Sequence, residues 1–364
     1  MKKIYFLKFL LSISFLFFLF FVASCKKNAN TIASPTILGV YQADSSVYKE
    51  LIMAITQIGN VSGDYGLVFD TGSGGMVIDA DGIVPSSMIS SNGFIFSGDS
   101  TVVNGITITN QTSTIVYGDD CSTINDTVYG NLAYAQVTVG DDQGNITIKR
   151  LPFFLSYKAT RSNGTSYPTH SFDVFGVNEE YDVTFNNNVH ITSPFSYFDP
   201  GVGLTRGFKM AQLNGANFSY EGTYAPVLTL GLTPADLSAS AGFVTSQLSP
   251  YPPYGYVPYI LANVTYNTNS FNGPLLFDTG TSNYSFLEDP NLSDTTATLL
   301  PPKSPVTIAA QSGFKYSYTT TATENLTNVE NSSCVNVSIF DIDFFLNNEY
   351  MYDFEHHTLG LKNN

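Results

Sequence analysis

The sequence predicts an all-β fold, and three observations predict it. The composition favours strands: of 364 residues, 23 are Tyr and 28 are Phe, aromatics reach 14%, and only 12% are charged. Such residues pack well on pleated surfaces, and so low a charge content excludes an acidic or basic disordered tail as the main content. The apolar runs are short and bounded by turn residues, with 29 Gly and 17 Pro along the chain. Third, a short apolar strand runs into Asp-Thr-Gly twice, at Gly66-Leu67-Val68-Phe69-Asp70-Thr71-Gly72-Ser73-Gly74 and at Gly273-Pro274-Leu275-Leu276-Phe277-Asp278-Thr279-Gly280-Thr281-Ser282.

In chain order, the first element is an address. Met1-Lys2-Lys3 opens a positive region, an almost wholly apolar run extends to Val22, and Ala23-Ser24-Cys25 closes it. This is the shape of a secretory signal; an uncleaved membrane anchor is the alternative that its length allows. Val22-Ala23-Ser24-Cys25 resembles a bacterial lipobox, which implies lipidation at Cys25 after removal of residues 1–24. Residues 25–36 then read as a polar tether. The expected location is the bacterial cell envelope, lipid-anchored and extracytoplasmic, whether periplasmic or on the cell surface.

The formal charge is −15; removing residues 1–24, with Lys2, Lys3 and Lys8, leaves 12 basic against 30 acidic residues, a net −18. A chain this acidic repels nucleic acid and anionic lipid headgroups, so the membrane is expected as a partner only through the anchor. Cys121 and Cys334 are the other cysteines, distant in sequence, and no CxxC or Cys/His zinc spacing occurs. HExxH and GxSxG are absent too, so neither a metal, a cofactor nor a serine nucleophile is expected.

Strands are expected at Gly66–Phe69, Val102–Thr109, Thr112–Tyr117, Gln136–Val139, Ile146–Leu155, Pro226–Leu230, Tyr259–Tyr266, Leu275–Phe277 and Val306–Ala309. Asn104-Gly105 signals a tight hairpin turn. Ser46–Ile58 fits a helix or a strand by period alone. Asn186–Asn188 and the Tyr/Pro-rich run from Ser249 to Gly255 read as loops.

The two Asp-Thr-Gly copies carry the chemistry. Two carboxylates held close at the ends of buried strands cannot both ionise cheaply, so the pair shares a proton. Such a pair can deprotonate a water as it attacks a carbonyl while protonating the carbonyl oxygen. Asp70 and Asp278 are the candidate pair. Gly72 and Gly280 allow close backbone approach. Thr71 and Thr279 offer hydroxyls to brace the two turns, and Ser73 and Thr281 can donate to the outer carboxylate oxygens. Asp-Thr-Gly is also ordinary turn chemistry, so two unconnected strand-to-turn junctions are the plain alternative.

The chain resembles the bilobal, pepsin-like aspartic peptidases over almost all of residues 40–364. Beyond the two motifs, Ile115-Val116-Tyr117-Gly118-Asp119 with the returning Gly130-Asn131-Leu132-Ala133 and Val137-Thr138-Val139-Gly140 is similar to that family's flap hairpin. Phe172-Asp173-Val174-Phe175-Gly176-Val177 resembles the segment crossing behind the first Asp. Val227-Leu228-Thr229-Leu230-Gly231 resembles the strand opening the second lobe. Phe344-Phe345, Met351-Tyr352-Asp353-Phe354 and Leu359-Gly360-Leu361 resemble the C-terminal ending.

The resemblance implies two similar β-barrel-like lobes, residues 37–222 and 223–364, with a substrate cleft between them. Together with the N-terminal signal, it implies an exported, monomeric aspartic endopeptidase acting on polypeptides through Asp70 and Asp278, with Tyr117, Gly118 and Asp119 in the flap. Tyr129, which repeats the Tyr-Gly pair, is the rival flap tyrosine. The alternative is a catalytically silent relative binding peptides or glycans in the cleft. A glycosidase, too, would use two carboxylates.

Three features depart from the family pattern: a long flap containing Asp119, Asp120, Cys121 and Asp126; no Trp; and Asp341 where the second lobe should carry a Gly. The few residues before the first lobe are too short for a long basic propeptide.

Overall fold

A computed structural model describes residues 32–45, 48–117, 125–181, 183–293, 296–332 and 336–364. Cys25, Gly118, Asp119, Cys121 and Cys334 lie outside the described residues, as do the signal and most of the tether. The described residues form β-strands and short 3₁₀ turns, with no α-helix. The fold is all-β, with a closed barrel and a half-barrel.

Alternation builds the strands. In Ile260–Tyr266, the side chains of Ile260, Ala262, Val264 and Tyr266 are buried, while those of Leu261, Asn263 and Thr265 face outward or lie at the margin. Asn104 and Gly105 form the two-residue turn between Ser100–Val103 and Ile106–Tyr117, both with positive φ (52° and 74°), as a right-twisted hairpin requires. The segment that period alone left open is a strand, Lys49–Ile58, pinned between Thr36–Asp44 and Val61–Asp70.

A 14-stranded sheet and an 8-stranded sheet account for most of the strands. The larger sheet crosses residue 222: Thr223–Leu232 pairs with Thr36–Asp44, and also with Thr205–Met210, which pairs in turn with Asn348–Asp353. Chain from both ends of the sequence therefore shares one sheet beneath the cleft. Its aromatic filling includes Phe69, Phe175, Phe195, Phe208, Tyr350 and Tyr352, all buried.

One arrangement occurs twice. Val174–Val177 inserts between Val61–Asp70 and Gly74–Asp79, parallel to the first (Gly176 opposite Asp70) and antiparallel to the second (Gly176 opposite Gly75). Ser338–Phe340 likewise inserts between Asn269–Phe277 and Ser285–Glu288, with Phe340 opposite Phe277 and Ile339 opposite Phe286. Each insertion leaves the Asp-Thr-Gly turn hanging from the buried end of a strand.

Candidate active site

The two turns meet. The Thr71 N–H donates to Thr279 Oγ1 at 3.0 Å, and the Thr279 N–H donates to Thr71 Oγ1 at 3.0 Å. Each hydroxyl then donates across to the strand behind the other turn, Thr71 to the Phe277 carbonyl (2.8 Å) and Thr279 to the Phe69 carbonyl (2.6 Å). Thr71 and Thr279 are 0% and 1% exposed. All four groups are thus satisfied internally, as burial demands.

The same crossing brings the carboxylates together. A Cβ placed on Gly72 would lie 2.5 Å from Asp278 Cγ, and one on Gly280 would lie 2.7 Å from Asp70 Cγ. Only the missing side chain at each glycine lets the opposite carboxyl occupy its position. Within each turn the Asp is fixed the same way. Asp70 accepts from the Gly72 N–H (2.6 Å) and from Ser73 Oγ; Asp278 accepts from the Gly280 N–H (2.7 Å) and from Thr281 Oγ1 (2.6 Å). Burial, then the charge of Asp278, then the hydrogen bond between the two carboxyls hold Asp70 well above the usual carboxylate range. The pair keeps a proton that an isolated aspartate would lose.

Asp70 and Asp278 share a cleft of about 290 Å³ with Gly72, Ser73, Val77, Ile115, Tyr117 and Val183 among its walls. The lining mixes polar groups with the side chains of Val77, Ile115 and Val183, and the hairpin Ile106–Tyr117/Asp126–Asp141 supplies one side of it. A larger cavity of about 710 Å³, against Gln247, Tyr251, Leu261 and Gln311, holds no acid, base or cysteine.

Tyr117 lies in that cleft wall, and its ring stacks on Phe172 (centroids 5.2 Å apart, planes at 18°). Tyr129 sits elsewhere, packed against Tyr157 and under the Lys158 ammonium (4.1 Å). The hairpin is braced by a loop: Ser113 Oγ donates to the Thr184 carbonyl at 2.9 Å.

Some contributors were not singled out in the sequence. Asn178 is 0% exposed; its side chain donates to the Thr71 carbonyl (3.3 Å) and accepts from the Glu180 N–H (2.8 Å). An Asn ending the apolar run Val174–Val177 was the available signal, since a buried amide needs partners. Tyr350, buried near both carboxylates, has its hydroxyl pushed up by burial and by their charges, so it remains neutral. Val183 reaches the cleft from a loop whose sequence gives no sign of it.

No protein-family model and no curated protein matches the sequence. Solved structures do match in fold. The aspartic proteinase from Irpex lacteus superposes with a TM-score of 0.56 at 14% identity, covering 90% of this chain and 97% of that one. Basic 7S globulin from soybean gives a TM-score of 0.56 at 10% identity, covering 91% and 95%. Conglutin gamma, a basic 7S globulin from lupine seeds, gives 0.56 at 12% identity, covering 91% and 95%. At these identities the likeness concerns architecture alone, and on that ground the chain has the fold of the pepsin-like aspartic proteinases.

Proposed function

We propose that this chain is an exported, lipid-anchored aspartic endopeptidase that cleaves polypeptides between Asp70 and Asp278. The observation that carries the reading is the reciprocal packing of each carboxyl over the opposite glycine, with each Asp fixed by its own turn. A folding scaffold has no need to press two acids together, because the pair costs desolvation and repulsion unless a proton is shared.

In the reaction, the singly protonated pair binds a water. The ionised carboxyl takes a proton from that water as its oxygen attacks the peptide carbonyl carbon. The protonated carboxyl gives its proton to the carbonyl oxygen, and a neutral gem-diol results. Its collapse breaks the C–N bond, with a proton passing to the leaving amine. Ser73 and Thr281 hold the outer oxygens, so the carboxyls need not reorient during the step. Tyr117 and the hairpin above limit access of bulk water.

The lipid anchor at Cys25 and the envelope location are part of the proposal. Membrane fractionation of wild type beside Cys25→Ser tests them: the wild type should pellet with membranes and the variant should not, and equal release of both would remove the anchor.

The 7S globulin neighbours favour a second reading, a cleft that binds peptides or glycans without cutting them. Digestion of casein with and without a statine-type transition-state analogue separates the two. Cleavage blocked by the analogue supports the peptidase; an inert protein that still binds peptide supports the binder.

A further inference from the structure

The second half-site contains a buried acid where the first has a glycine. Asp341 follows Phe340 in register with Asp278, as Gly176 stands opposite Asp70. At Gly176 a Cβ would lie 2.7–2.8 Å from Ser73, including its backbone, so no side chain fits. The second half-site makes room. The Ser73 carbonyl accepts from Asn178, two residues past Gly176, whereas the Thr281 carbonyl accepts from Ile342, one residue past Asp341. Antiparallel pairing of the inserted strand shrinks from four residue pairs in the first half-site to the single pair Ile339–Phe286 in the second.

Side chains replace that lost pairing. The Asp341 N–H donates to Ser285 Oγ (3.2 Å), and Ser285 Oγ donates back to Asp341 Oδ1 (3.1 Å). The bonds on either side of this exchange reach the candidate dyad. The Phe340 carbonyl accepts the Asp278 N–H at 2.8 Å, and the Ile342 N–H holds the Thr281 carbonyl at 3.2 Å. Thr281 is the residue whose hydroxyl fixes Asp278.

Asp341 is 1% exposed, and its Oδ2 has no hydrogen-bond partner among the described residues. The charged and titratable groups around it are Asp343 on its own 3₁₀ turn, Lys49 from Lys49–Ile58, and Tyr316 and Tyr318 from Lys315–Thr319, with Asp278 following the adjacent strand in register. Lys49 gives its ammonium to Asp343 at 3.0 Å, and Asp343 also accepts from the Asn325 N–H. Asp343 therefore takes the nearby cation, and an ionised Asp341 would be left buried without one.

We propose that Asp341 is a positioning residue of the second half-site, acting as the neutral acid: with Ser285 it holds the backbone that fixes Asp278, and loss of its proton loosens that half-site alone. Burial first, and the Asp343 charge second, push its carboxyl up to about 7. Ordinary aspartate titrates near 3.8. The raised value means that the stabilisation is full below the unfolded value and is lost as pH rises through about 7. The catalytic consequence rests on the peptidase reading; the structural one does not.

The test is hydrogen exchange on the full chain at acidic and at mildly alkaline pH, corrected for intrinsic rates, following residues 275–288 and, as the internal reference, 66–79. In the wild type, protection of 275–288 should fall by about tenfold at the higher pH while 66–79 holds, since the loosening is local. Asp341→Asn, which keeps the shape without a titrating proton, should abolish that fall. Ser285→Ala should lower protection of 275–288 at both pH values. In a peptidase assay, Asp341→Asn should move the alkaline limb of kcat/KM upward in pH. A fall that persists in Asp341→Asn, or that strikes both segments together, overturns the proposal. Absence of cleavage by both proteins at every pH overturns the peptidase reading, and the exchange result still decides the role of Asp341.

Discussion

The two half-sites carry the same chemistry on differently built supports. Around Asp70 the support is largely backbone on backbone, with Gly74 and Gly176 letting chain lie against chain, Gly75 admitting the Ile191 side chain and Gly72 the Asp278 carboxyl. Around Asp278 only Gly280 is kept. Ser282, Asn283 and Asp341 stand at the corresponding places, and a serine–aspartate exchange holds what strand pairing holds in the first half. Asn283 even keeps the positive φ (73°) of Gly75 (94°). Asparagine tolerates that region better than most residues. What survives in both halves is the pair of residues that touch the opposite half: the threonine that crosses over and the glycine that admits the other carboxyl.

Breaking that shared part should cost most. Asp70→Asn and Asp278→Asn should each lower kcat/KM by at least about a thousandfold with the fold retained, because each removes half of a proton-sharing pair. Circular dichroism beside a peptide assay checks both claims. Gly72→Ala and Gly280→Ala place a methyl where the opposite carboxyl sits, and each should cost about a hundredfold or more by displacing it. A methyl tolerated at either position with full activity would mean that the carboxyls need not meet.

The differing part should respond unequally, which sharpens the comparison. Gly176→Asp puts a side chain against the Ser73 backbone and should destabilise by several kcal/mol, at about the high end for point changes. Asp341→Gly should cost less, because it introduces no clash and removes only the hydrogen bonds of the Asp341 carboxyl. Thermal unfolding of the pair reads the difference. Equal losses would mean that the two supports are interchangeable.

Smaller effects test the crossing and the cover. Thr71→Val and Thr279→Val each leave a buried N–H without its acceptor, and should cost about 1–3 kcal/mol in chemical denaturation. Tyr117→Ala should lower kcat/KM by about tenfold with little loss of stability, since the ring borders the cleft and is not part of the deep core. Tyr129→Ala should leave turnover near the wild-type level.

The pH profile follows from the raised Asp70 carboxyl. The singly protonated pair is the competent form, so activity should be lost as pH rises through a value above the usual carboxylate range. Where Asp341 titrates first it sets that limb, and Asp341→Asn should leave the loss due to the pair itself, at higher pH. A profile that rises with pH over the whole range would contradict a shared proton.

The sequence made much of this legible because the essential contacts are local or repeated. The strand ending in Phe-Asp-Thr-Gly declares itself twice, and Asn104-Gly105 encodes its turn in two residues. The site residues Asp70, Thr71, Gly72, Ser73 and their counterparts from Asp278 to Thr281 all sit within the motifs. Other parts depend on distant chain. Phe172 supports Tyr117 across more than fifty positions of sequence, and Ser285 meets Asp341 only because an inserted strand brings them into register. The sequence shows Asp341 where a glycine is expected, but not the hydrogen-bonded exchange that replaces it, because Ser285 lies in a strand with no special pattern.

The central claim is that Asp70 and Asp278 act as one unit. A double-substitution cycle measures this directly: kcat/KM on one peptide for the wild type, Asp70→Asn, Asp278→Asn and the double variant. The account predicts that each single change removes nearly as much activity as both together, since half a dyad is no dyad. Partial losses that multiply in the double variant would show two independent carboxylates and contradict it.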